Sequence, residues 1–213
     1  MSPKIKFVYF DGRGIAEPAR LILHYANIDF EDFRISDEQW EEMKTKTKTG
    51  KVPYLEFDGH TIVESCAIFR FLARKYGLAG KDEYEQALVD GIADIQKDFY
   101  ASVMPWLYAK AGFIPGNVDE LKKPHFYDNV EKYIPIFQNF LKESKSGFLA
   151  PSGLTWADFC VSEYLFTLVR QESTILDKFP EVKEYLKRIK EVPQLKEYYS
   201  TRKNRFLETV EDS

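Results

Sequence analysis

Residues 49–76, TGKVPYLEFDGHTIVESCAIFRFLARKY, constrain the fold more than any other stretch of the chain. Lys51-Val52-Pro53 leads into an extended apolar run at residues 54–57, and a second short run follows at 61–63. Asp58-Gly59 lies between them, and Asp-Gly between two β-prone runs predicts a tight hairpin. Glu64-Ser65 then opens an amphipathic helix, with Ser65 as the predicted N-cap and Gly77 as the stop. A helix start offers unpaired N–H groups and a positive dipole end, which suits a small carboxylate. Pro53 removes a backbone donor and tolerates a cis bond, which leaves neighbouring backbone groups free for a ligand. The stretch reads as a cradle for a small, extended, anionic peptide.

The preceding residues supply the rest of a sheet. Residues 4–10, KIKFVYF, predict a strand with Ile5, Phe7 and Tyr9 on one face, ending in the loop Asp11-Gly12-Arg13-Gly14. A helix with Ile15, Ala19, Ile22, Leu23 and Ala26 on one side comes next, then a strand at 29–34 and a short polar helix at 37–45. The order β-α-β-α-β-β-α predicts a four-stranded mixed sheet with the first two strands parallel. This α/β unit spans 1–77, and a short polar linker covers 78–84. Residues 85–213 show helical patterns only, at about 84–110, 119–144, 155–171, 180–192 and 193–199. The predicted class is therefore α/β followed by an all-helical domain.

Within the helical half, Leu154-Thr155-Trp156-Ala157-Asp158-Phe159 is a capping box with flanking staple residues. Asp158 therefore has a structural task, since a buried carboxylate must find donors. The helix after it, WADFCVSEYLFTLV, is apolar nearly all round and belongs at the domain's centre. Composition narrows the partners. A net charge of -4 argues against a nucleic-acid surface. No window is long and apolar enough to cross a membrane, the start carries no signal-peptide pattern, and a cytoplasmic location is expected. The 17 Phe, 13 Tyr and 3 Trp exceed what a minimal core needs and suggest an aromatic-lined pocket. Cys66 and Cys160, both in apolar helical patterns, are expected as buried, reduced thiols. His24, His60 and His125 are scattered, and no metal site is expected.

Together these residues resemble the cytosolic glutathione transferases, over essentially the whole chain. The resemblance is carried by Tyr9 at the end of the first strand, Gly50-Lys51-Val52-Pro53, Glu64-Ser65 and the Leu154–Asp158 box. The string from Tyr9 to Glu17 looks most like the sigma class, which includes prostaglandin D synthases. The resemblance implies a thioredoxin-like N-terminal domain, glutathione as co-substrate, no prosthetic group, and a homodimer. It also implies that Tyr9 donates its hydroxyl to the glutathione sulfur. A free thiol has a pKa of about 8.5, so a donor aimed at sulfur raises the thiolate fraction at neutral pH.

By the same resemblance, Ser65 and its helix start take the γ-glutamyl carboxylate, and Glu64 faces the ammonium. Val52, before Pro53, presents its backbone to the cysteinyl unit, and Trp40, Lys44 and Lys51 meet the glycine carboxylate. Arg13 either stabilises negative charge near sulfur or braces the site through a salt bridge. Asp98 either reaches the glutathione of the partner subunit or is a solvated helical acid. Phe10, Ile15, Tyr100, Met104, Trp106, Tyr164 and Leu207 form the candidate wall of an apolar site for an electrophile. Prostaglandin isomerisation by the same thiolate, or ligandin-like binding of hydrophobic molecules, are the alternatives. The N-terminal half has no Cys-x-x-Cys pair, which argues against a thiol-disulfide oxidoreductase.

Overall fold

The computed structural model describes residues 3–203. Four strands form one sheet: β1 (Ile5–Phe10), β2 (Glu31–Ile35), β3 (Tyr54–Phe57) and β4 (His60–Val63), in the order β2-β1-β3-β4. β1 pairs parallel with β2 and antiparallel with β3, and β3 pairs antiparallel with β4. The mixed thioredoxin-like sheet is the one expected. Ile5 and Phe7 are buried as the alternation predicts, but Val8 is buried as well, so the central strand is covered on both faces. Asp58 and Gly59 both have positive φ, 48° and 81°, which is the backbone a two-residue hairpin requires.

Helices α1 (Glu17–Tyr25), α2 (Asp37–Met43) and α3 (Ser65–Lys75) complete this part. α2 starts in a Ser36/Gln39 capping box. α3 differs from expectation at its start. Ser65 is its first helical residue, and Glu64 holds the N-cap position at φ 71° with no side-chain cap.

The rest is helical: α4 (Glu83–Lys110), α5 (Val118–Lys122), α6 (Asp128–Ser144), α7 (Trp156–Gln171), α8 (Pro180–Lys190) and α9 (Lys196–Thr201). The single helix expected over 119–144 is divided by a π turn, Lys123–Tyr127. Pro124 has no N–H to give, and the ladder resumes with the Asp128 amide bonded to the Lys123 carbonyl, one residue beyond the α register. The 78–84 segment is less of a free linker than its composition suggests. Leu78 and Ala79 are buried, and the Leu78 carbonyl accepts from the Trp156 amide at 3.0 Å.

α7 runs through the centre, buried along most of its length, against α4 and α1. Much of the aromatic excess packs here. Phe99 of α4 stacks on Tyr133 at 4.9 Å and meets Tyr164 edge-on at 5.1 Å. Asp158 is fully buried and accepts from the amides of Leu149 (2.9 Å) and Thr155 (2.8 Å). Burial pushes its carboxyl up to about 6 against the pull of those donors.

Candidate functional site

A cavity of about 290 Å³ lies between the sheet unit and the helices. One wall is the cradle read from the sequence: Thr49, Lys51, Val52, Pro53, Glu64 and Ser65. The Val52–Pro53 bond is cis. The β3 ladder begins at Tyr54, so the Val52 backbone stands outside it. The Ile68 amide closes the first turn of α3 on the Glu64 carbonyl at 3.0 Å, so the amides of Ser65, Cys66 and Ala67 precede the helical ladder. Glu64 is exposed and holds a left-handed φ that costs a non-glycine residue about 1–2 kcal/mol. Such strain beside a cavity is a mark of a functional turn.

The opposite wall comes from Gln96, Lys97 and Tyr100 of α4 and from Cys160, Glu163 and Tyr164 of α7, with Gly14, Ile15 and Pro18 at one edge. That wall is mixed: Tyr100, Tyr164 and Cys160, with Ile15 and Pro18 at the edge, give it an apolar part, and Gln96, Lys97 and Glu163 a polar one.

Tyr9 stands at the Gly14 edge. A Cβ built on Gly14 would fall 2.5 Å from the Tyr9 hydroxyl oxygen, and Gly14 has φ +45°, so only glycine lets the loop close this tightly on the phenol. The Ile15 backbone hydrogen-bonds the same oxygen. Burial raises the Tyr9 pKa above its usual 10, ahead of the lowering effects of Ile15 and Arg20. At neutral pH the group is therefore a phenol and a hydrogen-bond donor.

The structure brings together Lys51, Val52, Pro53, Glu64, Ser65, Ile15, Tyr100 and Tyr164 around the cavity, whereas Tyr9 does not itself line it and stands behind Gly14, which does. It sets others apart. Trp40 is half-buried and edge-on to Phe10 at 5.6 Å, and neither ring lines the cavity. Lys44 is paired with Glu41 at 2.6 Å. Met104 and Trp106 are buried in the helical core, Trp106 against Phe126 at 4.6 Å, and neither forms the apolar wall expected of them. Asp98 is exposed on α4 and does not line the cavity of its own chain. Leu207 lies outside the described residues.

Of the two alternatives for Arg13, the structure has the brace: its guanidinium is buried and pairs with Glu163 at 3.2 Å. Cys66 and Cys160 are free thiols as expected, though Cys66 is only half-buried, and both line the cavity. Among the described residues no group of three or more metal-ligating side chains occurs.

Three participants escaped the sequence reading. Glu163 is an acid on an otherwise apolar helix, and that misfit was the available signal, because a buried carboxylate needs a partner. Tyr108 lies two helical turns beyond Tyr100, electrostatically coupled to both Tyr9 and Tyr100. Lys97 is a cavity-lining cation with no distinguishing pattern in the sequence.

A thioredoxin-like sheet carrying a cis-proline turn, joined to a helical domain across one cavity, defines the class of glutathione-using transferases. The comparisons agree. The glutathione S-transferase N-terminal domain matches residues 5–74 and the C-terminal domain matches 97–202. The chain is 41% identical to a probable glutathione S-transferase 5 of Caenorhabditis elegans over 92% of this chain and 96% of that protein. It superposes on a Nu-class enzyme from Haemonchus contortus with a TM-score of 0.87 and 40% identity, covering 94% of this chain and 97% of the other. A glutathione S-transferase of the hookworm Necator americanus, described as monomeric, superposes at 0.90 with 41% identity, covering 93% and 97%. The chain belongs to the glutathione S-transferase family. Its co-substrate is glutathione, with no prosthetic group.

Proposed function

We propose that the enzyme lays glutathione along the cradle wall and joins its sulfur to a hydrophobic electrophile held against Ile15, Tyr100 and Tyr164. The observation that carries this is the Tyr9 hydroxyl, locked by Gly14 and the Ile15 backbone at the edge of the cavity that Pro53 and Ser65 line. With its pKa raised, Tyr9 keeps its proton and donates a hydrogen bond to sulfur, which favours the thiolate over the thiol. Ser65 and the first amides of α3 receive the γ-glutamyl carboxylate, Val52 the cysteinyl backbone, and Lys51 the glycine carboxylate. Ile15, Tyr100 and Tyr164, which line the cavity, serve the electrophile. The two functional units divide within 78–84, and the enzyme acts in the cytoplasm.

For class, the Nu-class similarity extends over 94% of the chain and outweighs the nine-residue sigma-like string, so we place the chain beside the Nu-class protein. Asp98, exposed on α4, is assigned to the glutathione of a second copy in a homodimer. The monomeric hookworm relative makes oligomeric state worth measuring: a monomer that binds glutathione fully would remove Asp98 from the site. The central test is Tyr9→Phe. We expect conjugation of glutathione to an aryl halide to fall about 100-fold with glutathione binding largely kept, since the hydroxyl acts on sulfur alone. Equal rates in the two proteins would remove Tyr9 from the mechanism.

A further inference from the structure

Behind the cavity, buried charges connect the first helix to the end of the last. Glu17 of α1 is 1% exposed. One of its oxygens pairs with Arg20 at 3.2 Å, and the other accepts from the Tyr198 hydroxyl at 2.8 Å and from Arg202 at 2.9 Å. Arg202 also lies 2.9 Å from Glu163, which holds Arg13. Arg20, fully buried, donates to the carbonyls of Gly12 (2.6 Å) and Phe10 (3.4 Å) and is fixed from the far side by Asp32 at 3.0 Å.

Those two carbonyls belong to the loop that leaves Tyr9 and folds back so that Gly14 and Ile15 close on its hydroxyl. The loop's position and the phenol's position are therefore one quantity. Both ends of the loop are held: its start by Arg20 and Arg13 by Glu163. Both holds meet at Arg202, which Glu17 and Glu163 share.

We propose that Tyr198 and Arg202, at the C-terminal end of the described chain, are positioning residues for Tyr9, acting through Glu17 and Arg20. This inference rests on the reading of Tyr9 as the donor to sulfur. Neither Tyr198 nor Arg202 lines the cavity, so their effect is transmitted through the loop. The charged and titratable groups facing Tyr9 itself are Arg20, whose guanidinium carbon lies 6.0 Å from its ring centre, and the phenols of Tyr108 and Tyr100. Burying this many charges is expensive, and their return is a fixed geometry rather than stability.

The test uses the full-length enzyme with Tyr198→Phe, Arg202→Met and Arg202→Lys. Two quantities are read: the pH profile of kcat/KM and the thiolate absorbance of the glutathione complex. We expect the bound thiol pKa to rise by about half a unit or more in Tyr198→Phe and Arg202→Met, which leaves about threefold less thiolate at pH 6. KM for glutathione should stay within about twofold, since no group that binds its backbone has moved. Arg202→Lys should recover part of the shift, because it restores the charge but not the shared fork.

Tyr198→Phe keeps the ring stack on His24 at 4.0 Å and loses one hydrogen bond, so it decides the matter even if Arg202→Met does not fold. A wild-type thiol pKa in the folded Tyr198→Phe and Arg202→Met proteins overturns the proposal. Tyr9→Phe is run alongside. If it too leaves the thiol pKa unchanged, the reading of Tyr9 falls; if it alone raises it, only the C-terminal clamp does.

Discussion

Gly14→Ala moves the Tyr9 hydroxyl without deleting it, which tests position rather than presence. An ideal Cβ at residue 14 falls 2.5 Å from the phenol oxygen, 2.8 Å from ring carbon Cε1 and 3.0 Å from Cζ, where ordinary contact begins at 3.4 Å. The oxygen must therefore retreat by roughly 0.9 Å, and a displacement of about 1 Å costs about 100-fold in rate. That is about 2.7 kcal/mol of transition-state stabilisation. The backbone adds a separate cost, because φ +45° is strained for alanine by about 1–2 kcal/mol.

The two effects separate experimentally. The first appears as a loss of about 100-fold in kcat/KM for aryl-halide conjugation and a rise of the bound thiol pKa toward the free value of about 8.5. The second appears as a fall in Tm of about 2–8 °C in thermal unfolding. The three atoms nearest the added methyl all belong to Tyr9 and none to the cradle wall, so affinity for a glutathione analogue should change little. A folded Gly14→Ala enzyme with wild-type rate and thiol pKa would show that the phenol's position is irrelevant to the sulfur, and the mechanism would have to be rebuilt.

Two further outcomes follow from other parts of the structure. Lys51→Ala removes the cavity's cation at the cradle end, so KM for glutathione should rise about tenfold with kcat nearly unchanged, measured by steady-state kinetics. Glu85→Gln tests how the 78–84 segment is anchored to the helical half. Its carboxylate accepts from the amides of Lys81 (2.6 Å) and Ser152 (2.8 Å), and although burial raises its pKa, those bonds outweigh it and hold the group below its usual value. A depressed folded pKa means stability that is present above about pH 4.5 and lost as pH falls through the folded value. Glutamine turns an N–H toward one of those amides, so unfolding free energy should drop about 2–3 kcal/mol at pH 7 and by less once pH has fallen through the folded pKa of Glu85. An equal loss on both sides of that pKa would refute the charged-acceptor account.

The sheet was legible in the sequence because each of its signals is local. Asp58-Gly59 specifies its own turn, and alternation over 5–9 specifies a face. The capping box at Thr155 and Asp158 needs only three residues of spacing to declare itself. Where several local signals competed, the boundary moved: Pro124 divided one predicted helix, and the strained Glu64 took the cap position assigned to Ser65. Apolar spacing was the weakest guide. Tyr100, Met104 and Trp106 share one helix and one residue class, yet Tyr100 lines the cavity while the other two fill the core. Periodicity tells which residues avoid water, and says nothing of whether protein or ligand replaces it.

Charge pairing was illegible for a different reason. The partner of Arg13 is 150 residues away, and Arg202, which Glu17 holds besides its near neighbour Arg20, is 185 away, so no window of sequence contains either distant pair. The local reading of Arg13 allowed a cation near the sulfur, because an arginine in a glycine-rich loop beside a candidate nucleophile is electrostatically well placed. A buried guanidinium 3.2 Å from a buried carboxylate does something else. Each cancels most of the other's field at a distance, while the low surrounding dielectric makes their mutual geometry costly to disturb. The pair thus trades reach for rigidity. The same exchange holds at Glu17, where Arg202, Tyr198 and Arg20 converge on one carboxylate. The loop between Tyr9 and Ile15, which shapes the site, is thereby held in place from the opposite end of the chain.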